Sequence, residues 1–350
     1  MERHRLGNSG VWLSEVALGT LTFGSTCDVK TSHRILDEAV DSGINAIDTA
    51  ETYPLTNRHD LAGRSEAVIG DWLKNQRRET IVIASKVAGP NTSWIQPPVR
   101  AGQTALDRVN ITKAIEGSLR RLQTDYLDLY QVHWPDELIR FEEFLDPLSD
   151  LVREGKIRTL GLCNCSAWAA MKSLAISHDA GLKRIDALQL GFNFADRSVE
   201  HEIGRICIRE NLALMAHSPL AGGFLTNKYL AGFPPDARYT IQMHWSEQAK
   251  QASMTLINPQ NLELVESLQE IAKELNLSMA AFALAWTLRP KFITSTIVGA
   301  RTTAQLTDSL KGVNVRLNHN VLDRVDRILD EFKGAASIKK LPREKRWFCD

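Results

Sequence analysis

The sequence predicts an α/β fold: a single closed barrel of strand–helix units, preceded by a β-hairpin and followed by an extra C-terminal helix. Three observations predict it. Short apolar runs alternate with amphipathic stretches along nearly the whole chain, giving eight strand-then-helix units. Three consecutive runs stop abruptly at a titratable residue: Ala46-Ile47 at Asp48, Ile81-Val82-Ile83-Ala84-Ser85 at Lys86, and Leu127-Asp128-Leu129-Tyr130-Gln131-Val132 at His133. Buried parallel strands that each deliver a polar group at one edge describe the C-terminal rim of a (β/α)8 TIM barrel. Finally, the 350 residues have room for such a barrel, which takes about 250 residues, together with insertions. No Pro/Gly/Ser linker divides the chain and no solenoid-period repeat is visible. Residues 1–335 therefore read as one barrel domain and 336–350 as a tail.

The elements follow in order. Residues 1–14 place the polar turn Gly7-Asn8-Ser9-Gly10 between short mixed runs, which predicts the hairpin. Val16-Ala17-Leu18-Gly19 is the first barrel strand and leads into the rim segment Thr20-Leu21-Thr22-Phe23-Gly24. A helix over 32–41 carries Ile35, Leu36, Ala39 and Val40 on one face. Strand two ends at Asp48. The helix over 65–75 follows, with Ser65 and Glu66 as its expected cap and dipole partner. Strand three ends at Lys86. The loop 87–109 is rich in Pro, Gly and Asn. Loops of that length are usually functional or disordered; this one is expected to wall a substrate pocket together with 21–28, 51–64 and 221–245, with Trp94 either lining that wall or anchoring the loop. A helix over 110–122, capped by Asn110, precedes strand four and His133.

The helix over 142–154 stops at Gly155, a C-cap signal. Strand five, 159–163, delivers Asn164, and the helix 167–177 leads to strand six, 186–190, with Gln189 near its end. A helix over 199–210 precedes strand seven, 212–216, and the turn His217-Ser218-Pro219-Leu220-Ala221-Gly222-Gly223. A second long excursion, 221–260, holds Lys228, Pro234-Pro235 and Arg238. Helices over 262–274 and 279–288 lead to strand eight, 296–298, then Gly299-Ala300-Arg301 and a helix over 303–311. The extra outer helix spans 321–332. The tail, 339–350, mixes basic and aromatic residues and either folds over the rim or hangs loose.

Taken singly, Asp48 and Lys86 would be a rim salt bridge, Tyr53 packing and His133 a core histidine. Together they suit one reaction. A Tyr hydroxyl has a reference pKa of about 10, and a nearby cation stabilises the phenolate and lowers that value. Lys86 would be that cation, Asp48 would hold its ammonium, and His133 would orient a carbonyl oxygen. Such a set protonates a carbonyl oxygen while another group delivers hydride.

The same residues carry a family resemblance. Gly43-Ile44-Asn45-Ala46-Ile47-Asp48-Thr49-Ala50-Glu51-Thr52-Tyr53, Gly63-Arg64-Ser65-Glu66 and Ala84-Ser85-Lys86 occur in order. They are followed by Ser118-Leu119-Arg120-Arg121-Leu122-Gln123-Thr124-Asp125-Tyr126-Leu127-Asp128-Leu129 and His133-Trp134-Pro135. Over residues 5–330 the chain resembles the aldo-keto reductases, near their bacterial Tas-type members and the potassium-channel β-subunit branch. The resemblance implies NADP(H)-dependent reduction of an aldehyde or ketone, with the family's tetrad falling on Asp48, Tyr53, Lys86 and His133. It also implies a cofactor site. Gly19 and Thr20 would lie against the cofactor, with Asp48 beside it, and Asn164 and Gln189 would bond the nicotinamide carboxamide. Ser218, Pro219, Leu220 and Gly222 would line the pyrophosphate, and Lys228 and Arg238 would reach phosphate. Gly299, Arg301, Gln305, Asp308 and Ser309 match the adenosine-phosphate end, where Arg301 can grip a 2′-phosphate bidentately.

Physical reading agrees with that placement. There is no GxGxxG after a strand, whereas loops after strands seven and eight commonly form a TIM-barrel phosphate site. The chain departs from the family's pattern at Cys163, often Ser, at His217, usually an aromatic that stacks on the nicotinamide, and at Ser309, often Asn. Imidazole stacks with less area and, at its ordinary pKa, a charge that varies near neutral pH. The channel branch adds an alternative function, a cofactor-sensing regulatory subunit with little turnover.

Composition narrows the rest. Forty-two Lys plus Arg balance 42 Asp plus Glu, so no global charge pulls the chain toward nucleic acid or an acidic membrane. Five cysteines, at 27, 163, 165, 207 and 349, suggest no disulfide framework and fit a reducing, cytoplasmic setting. Cys163 and Cys165 are too few and too close for a zinc site, and the strand-end histidines His133 and His217 are too few for a metal hydrolase. The N-terminus lacks a signal-peptide core and no run of about 20 apolar residues exists. The expected partner is a small carbonyl substrate; oligomeric state has no signature in the sequence.

Overall fold

A computed structural model describes residues 1–90, 99–102, 104–136 and 138–332 of the chain. Trp94 and the tail 336–350 lie outside the described residues. Strands β1 (Arg3–Arg5) and β2 (Trp12–Ser14) pair antiparallel as the hairpin. Eight further strands follow: β3 (Val16–Gly19), β4 (Ala46–Asp48), β5 (Val82–Val87), β6 (Leu127–Val132), β7 (Ile157–Cys163), β8 (Ala187–Gly191), β9 (Ala213–His217) and β10 (Ser295–Gly299). Each pairs in parallel with the next, and β10 pairs with both β9 and β3, closing the barrel. The fold is the predicted (β/α)8 TIM barrel with its N-terminal hairpin.

Alternation of side chains along each strand sets the two cores. Ala17, Ala46, Val82, Ala84, Leu129, Ala187, Ala213, Met215 and Ile297 fill the barrel interior. Leu6, Val11 and Leu13 of the hairpin join that cluster, so the hairpin plugs the end opposite the rim. The outward residues, such as Val16, Ile47, Ile83 and Leu188, pack into the larger shell core beneath the helices.

The helices are α1 (Val29–Asp41), α2 (Arg64–Leu73), α3 (Arg108–Leu122), α4 (Phe141–Arg153), α5 (Ala167–Asp179), α6 (Ile203–Glu210), α7 (Arg238–Gln242), α8 (Glu247–Leu256), α9 (Pro259–Glu274), α10 (Met279–Leu288), α11 (Thr303–Leu310) and α12 (His319–Glu331). The last is the extra C-terminal helix. Several begin earlier than apolar periodicity suggests. Asp28 caps α1 through Thr31 N, and Asn258 caps α9 through Asn261 N with Pro259 at the first helical position. The first turn of each carries few apolar residues, and its buried positions include the polar Ser32 and Asn261, so a hydrophobic count starts late.

Two expected caps are corrected. Asp107, not Asn110, caps α3, and Asn110 is buried inside that helix. Gly63, in the left-handed region at φ 77°, occupies the α2 cap position. Ser65 is instead buried, donating from Oγ to Thr20 O (3.0 Å) and Phe23 O (2.9 Å). Glu66 is fully buried, accepting from Ser85 Oγ at 2.6 Å and pairing with Arg121 at 2.7 Å. Ser65 thus docks α2 on the barrel rather than capping it, and Glu66 does so from the first turn, where a dipole partner is expected. The excursion 221–260 is not featureless: it holds α7, α8 and two short 3-10 turns. No helix among the described residues is long and apolar enough to cross a membrane.

Candidate active site

Strand parity brings the site together. Successive side chains alternate between interior and exterior, so the residue two places beyond an interior residue faces the interior again. Ala46 is followed this way by Asp48, Ala84 by Lys86, Ala187 by Gln189 and Met215 by His217. Because all eight strands run parallel, these groups emerge at one mouth. There a cavity of about 640 Å³ opens, within the usual range for a ligand site.

At its floor, Lys86 Nζ donates to Asp48 Oδ2 at 2.7 Å and to Thr49 O at 2.8 Å. The other Asp48 oxygen accepts from Gln189 Nε2 at 2.8 Å. Lys86 is fully buried, and its ammonium lies 5.1 Å from the centroid of the Tyr53 ring. The His133 ring stands 5.8 Å from that of Tyr53, nearly edge-on at 71°. Burial works against the Lys86 charge, but its neighbours, led by the charge of Asp48, and the hydrogen bond to Asp48 outweigh burial, so the ammonium is retained with a raised pKa. Burial, the Lys86 charge and His217 together push His133 well below the usual histidine range, leaving a neutral imidazole.

Tyr53 corrects an expectation. Lys86 does pull its pKa down, through charge and a hydrogen bond, but burial acts more strongly, and Asp48 and Cys163 add to it. The phenol is pushed up to about 12. It is held protonated, as a proton donor must be.

The opposite half of the cavity is cationic. Lys228, Arg238 and Arg301 all line it. Burial, then the charges of Arg301 and Arg238, lower the Lys228 pKa, against Asp236. The Arg301 guanidinium is bound to Asp236, at 2.9 Å to the carboxylate and also to the backbone carbonyl. Gln305 Oε1 accepts from Arg301 N at 2.9 Å. Gly222 and Gly223 have φ 67° and 98°; a Cβ on Gly223 would collide with Lys228 Nζ, and one on Gly222 with the Tyr239 hydroxyl. Their backbone can therefore approach a ligand while Lys228 lies directly against it.

Between the halves sit Asn164 and Ser218, both non-glycine residues in the left-handed region at φ 53° and 58°. Such conformations concentrate at functional sites. Asn164 Nδ2 donates to His133 O at 2.9 Å, which leaves its Oδ1 to accept from His217 Nε2 at 3.1 Å. His217 Nδ1, 3.0 Å from Ser218 Oγ, is then the acceptor of a neutral ring. Burial and the Lys86 charge lower the His217 pKa to about 4, so the charge near neutral pH expected for this residue does not arise.

Every candidate catalytic or cofactor-binding residue named from the sequence lines this cavity except Lys86, which is fully buried. That includes Gly19, Thr20, Pro219, Leu220, Gly299, Asp308 and Ser309. Among the described residues of 87–109, none does. Ile241, Gln242 and Trp245 line the cavity from within 221–245, a stretch expected to wall the pocket, although none of the three is named from the sequence; Met279 at the start of α10 lines it too, from outside every expected wall. No local pattern marks them; they arrive only through the path of α7 and the packing of α10.

The chain belongs to the aldo/keto reductase family of oxidoreductases: the family's sequence model matches residues 15–330. Among known relatives, Protein tas of Escherichia coli (strain K12) is 36% identical over 350 residues, covering 94% of this chain and 97% of that protein. The uncharacterized oxidoreductase YrpG of Bacillus subtilis is 34% identical, covering 94% and 96%. A probable voltage-gated potassium channel subunit beta of Oryza sativa subsp. japonica is 29% identical, covering 94% and 97%.

Proposed function

We propose that this protein reduces an aldehyde or ketone to an alcohol at the expense of NADPH. The observation that carries the reading is a neutral proton donor, Tyr53, beside a buried ammonium, Lys86, at one end of a cavity whose other end is lined by Lys228, Arg238 and Arg301. Reduced nicotinamide, when bound, supplies the hydride. The carbonyl oxygen lies between Tyr53 and His133: the neutral His133 ring orients it, and Tyr53 gives its proton to the developing alkoxide. Lys86 stabilises the phenolate that remains, and Asp48 keeps the ammonium in place. Asn164 and Gln189 face the carboxamide. His217 stacks as an uncharged ring, and Ser218, Pro219, Leu220 and Gly222 line the pyrophosphate.

The donor set fits a phosphorylated dinucleotide. A cation cluster that lowers its own lysine's pKa is relieved by an anion. A 2′-phosphate, with its greater charge, would compete with Asp236 for the Arg301 fork. NADPH should therefore bind more tightly than NADH; equal or tighter NADH binding in a fluorescence titration would overturn the assignment.

The test of the proton donor is Tyr53→Phe. It should lower kcat by about a hundredfold or more while leaving NADPH affinity near that of the parent. A variant as active as the parent removes Tyr53 from its role. The relatives named as channel subunits supply the second reading, cofactor sensing with little turnover, and sustained NADPH consumption separates the two.

A further inference from the structure

We propose that Glu51 and Arg100 are a positioning pair that fixes Tyr53 at its spacing from Lys86; the inference rests on the reductase reading above. Neither residue is among those lining the cavity, so neither touches the reacting atoms. What they hold is the backbone on both sides of the proton-transfer pair. Glu51 lies two residues before Tyr53, and Ala88 two residues after Lys86.

The Glu51 side chain accepts from Ala88 N at 2.7 Å, and its own backbone N–H donates to Lys86 O at 3.4 Å. Arg100 Nη1 pairs with both Glu51 carboxylate oxygens, and its Nη2 donates to Ala88 O at 2.9 Å. Both polar groups of the Ala88 backbone are thereby bound by the pair. The two side chains are 3% and 10% exposed. Arg100 reaches this position with φ at 50°, in the left-handed region that an arginine rarely adopts. A buried ion pair that satisfies two backbone groups and tolerates local backbone strain tends to specify geometry.

Burial raises the Glu51 pKa, and the Arg100 charge is the largest influence opposing it. Arg100 thus favours the ionised carboxylate that accepts from Ala88. Loosening the clasp lets the segment after β4 move against the end of β5, and Tyr53 moves with it. Small displacements of this kind cost rate more than binding.

The test uses the full chain carrying Glu51→Gln or Arg100→Ala. Glu51→Gln keeps the shape and an acceptor for Ala88 but loses the charge. We expect kcat to fall by about tenfold or more, with the NADPH dissociation constant within about twofold of the parent. Added guanidinium ion should restore part of the lost kcat in Arg100→Ala, which a general loss of stability would not allow. A second readout needs no turnover. With ring-labelled tyrosine, the carbon resonance of Tyr53, assigned through Tyr53→Phe, should shift in both variants while those of Tyr126, Tyr229 and Tyr239 stay in place; Tyr130, which feels the charges of Glu51 and Arg100 directly, is left out of the comparison. An unmoved Tyr53 resonance, or a kcat within twofold of the parent, overturns the proposal. Should the parent bind NADPH yet reduce no carbonyl, the reductase reading fails on its own, and the Tyr53 resonance still decides the positioning role.

Discussion

Two opposing influences act on the Tyr53 phenol: burial raises its pKa and the Lys86 ammonium lowers it. The balance, about 12, sets how the reaction responds to pH. A general acid works while protonated, so reduction fails only as pH rises toward that value. On the acid side, His217 takes a proton only as pH falls toward about 4, adding a positive charge near Lys86. The kcat for reduction should therefore be flat across the neutral range, with both limbs near those extremes. A profile that bends near the ordinary histidine pKa of about 6.5 would contradict a neutral His133 and His217. The convergence of Asp48, Tyr53, Lys86 and His133 at one rim was legible in the sequence because each stands at or just beyond the end of a buried strand and is chemically uncommon there. Their electrostatics were not, since burial is a property of the finished cavity.

At the scale of elements, the barrel strands were the most legible feature, because an apolar run ending in a polar residue is a local signal. Helix starts were less so. Asp107 and Asn258 cap their helices one turn ahead of the first buried apolar contact, and α1 starts at Asp28 with polar residues through its first turn after Val29. Ser65 and Glu66 read as a helix start, but they are bound to Phe23, Thr20, Ser85 and Arg121, contacts that no local pattern records. The excursion after β9 shows the same limit: Lys228 and Arg238 were nominated, yet the path that brings Trp245 to the cavity is tertiary. The turn Gly222-Gly223 makes that path possible. Gly223→Ala should weaken NADPH binding by about tenfold or more, since a side chain there is both strained at φ 98° and in the way of Lys228. An isothermal titration with unchanged affinity would show that Lys228 does not need this approach.

Across the whole molecule, the closed sheet makes one rim out of strands far apart in sequence. Gln189 bonds Asp48 across 141 positions, and Arg301 reaches Asp236 across 65. The hairpin packs Leu6, Val11 and Leu13 into the other end, and the interior opens where the polar groups emerge. On the proposed reading, the cationic lining takes a phosphorylated dinucleotide and the Tyr53 end takes a carbonyl. The most direct measurement is NADPH consumption by the purified chain with a panel of aldehydes and ketones, followed at the NADPH absorbance band with the alcohol quantified alongside. The account predicts turnover with one alcohol formed per NADPH oxidised. Stable NADPH binding without consumption across the panel would contradict it.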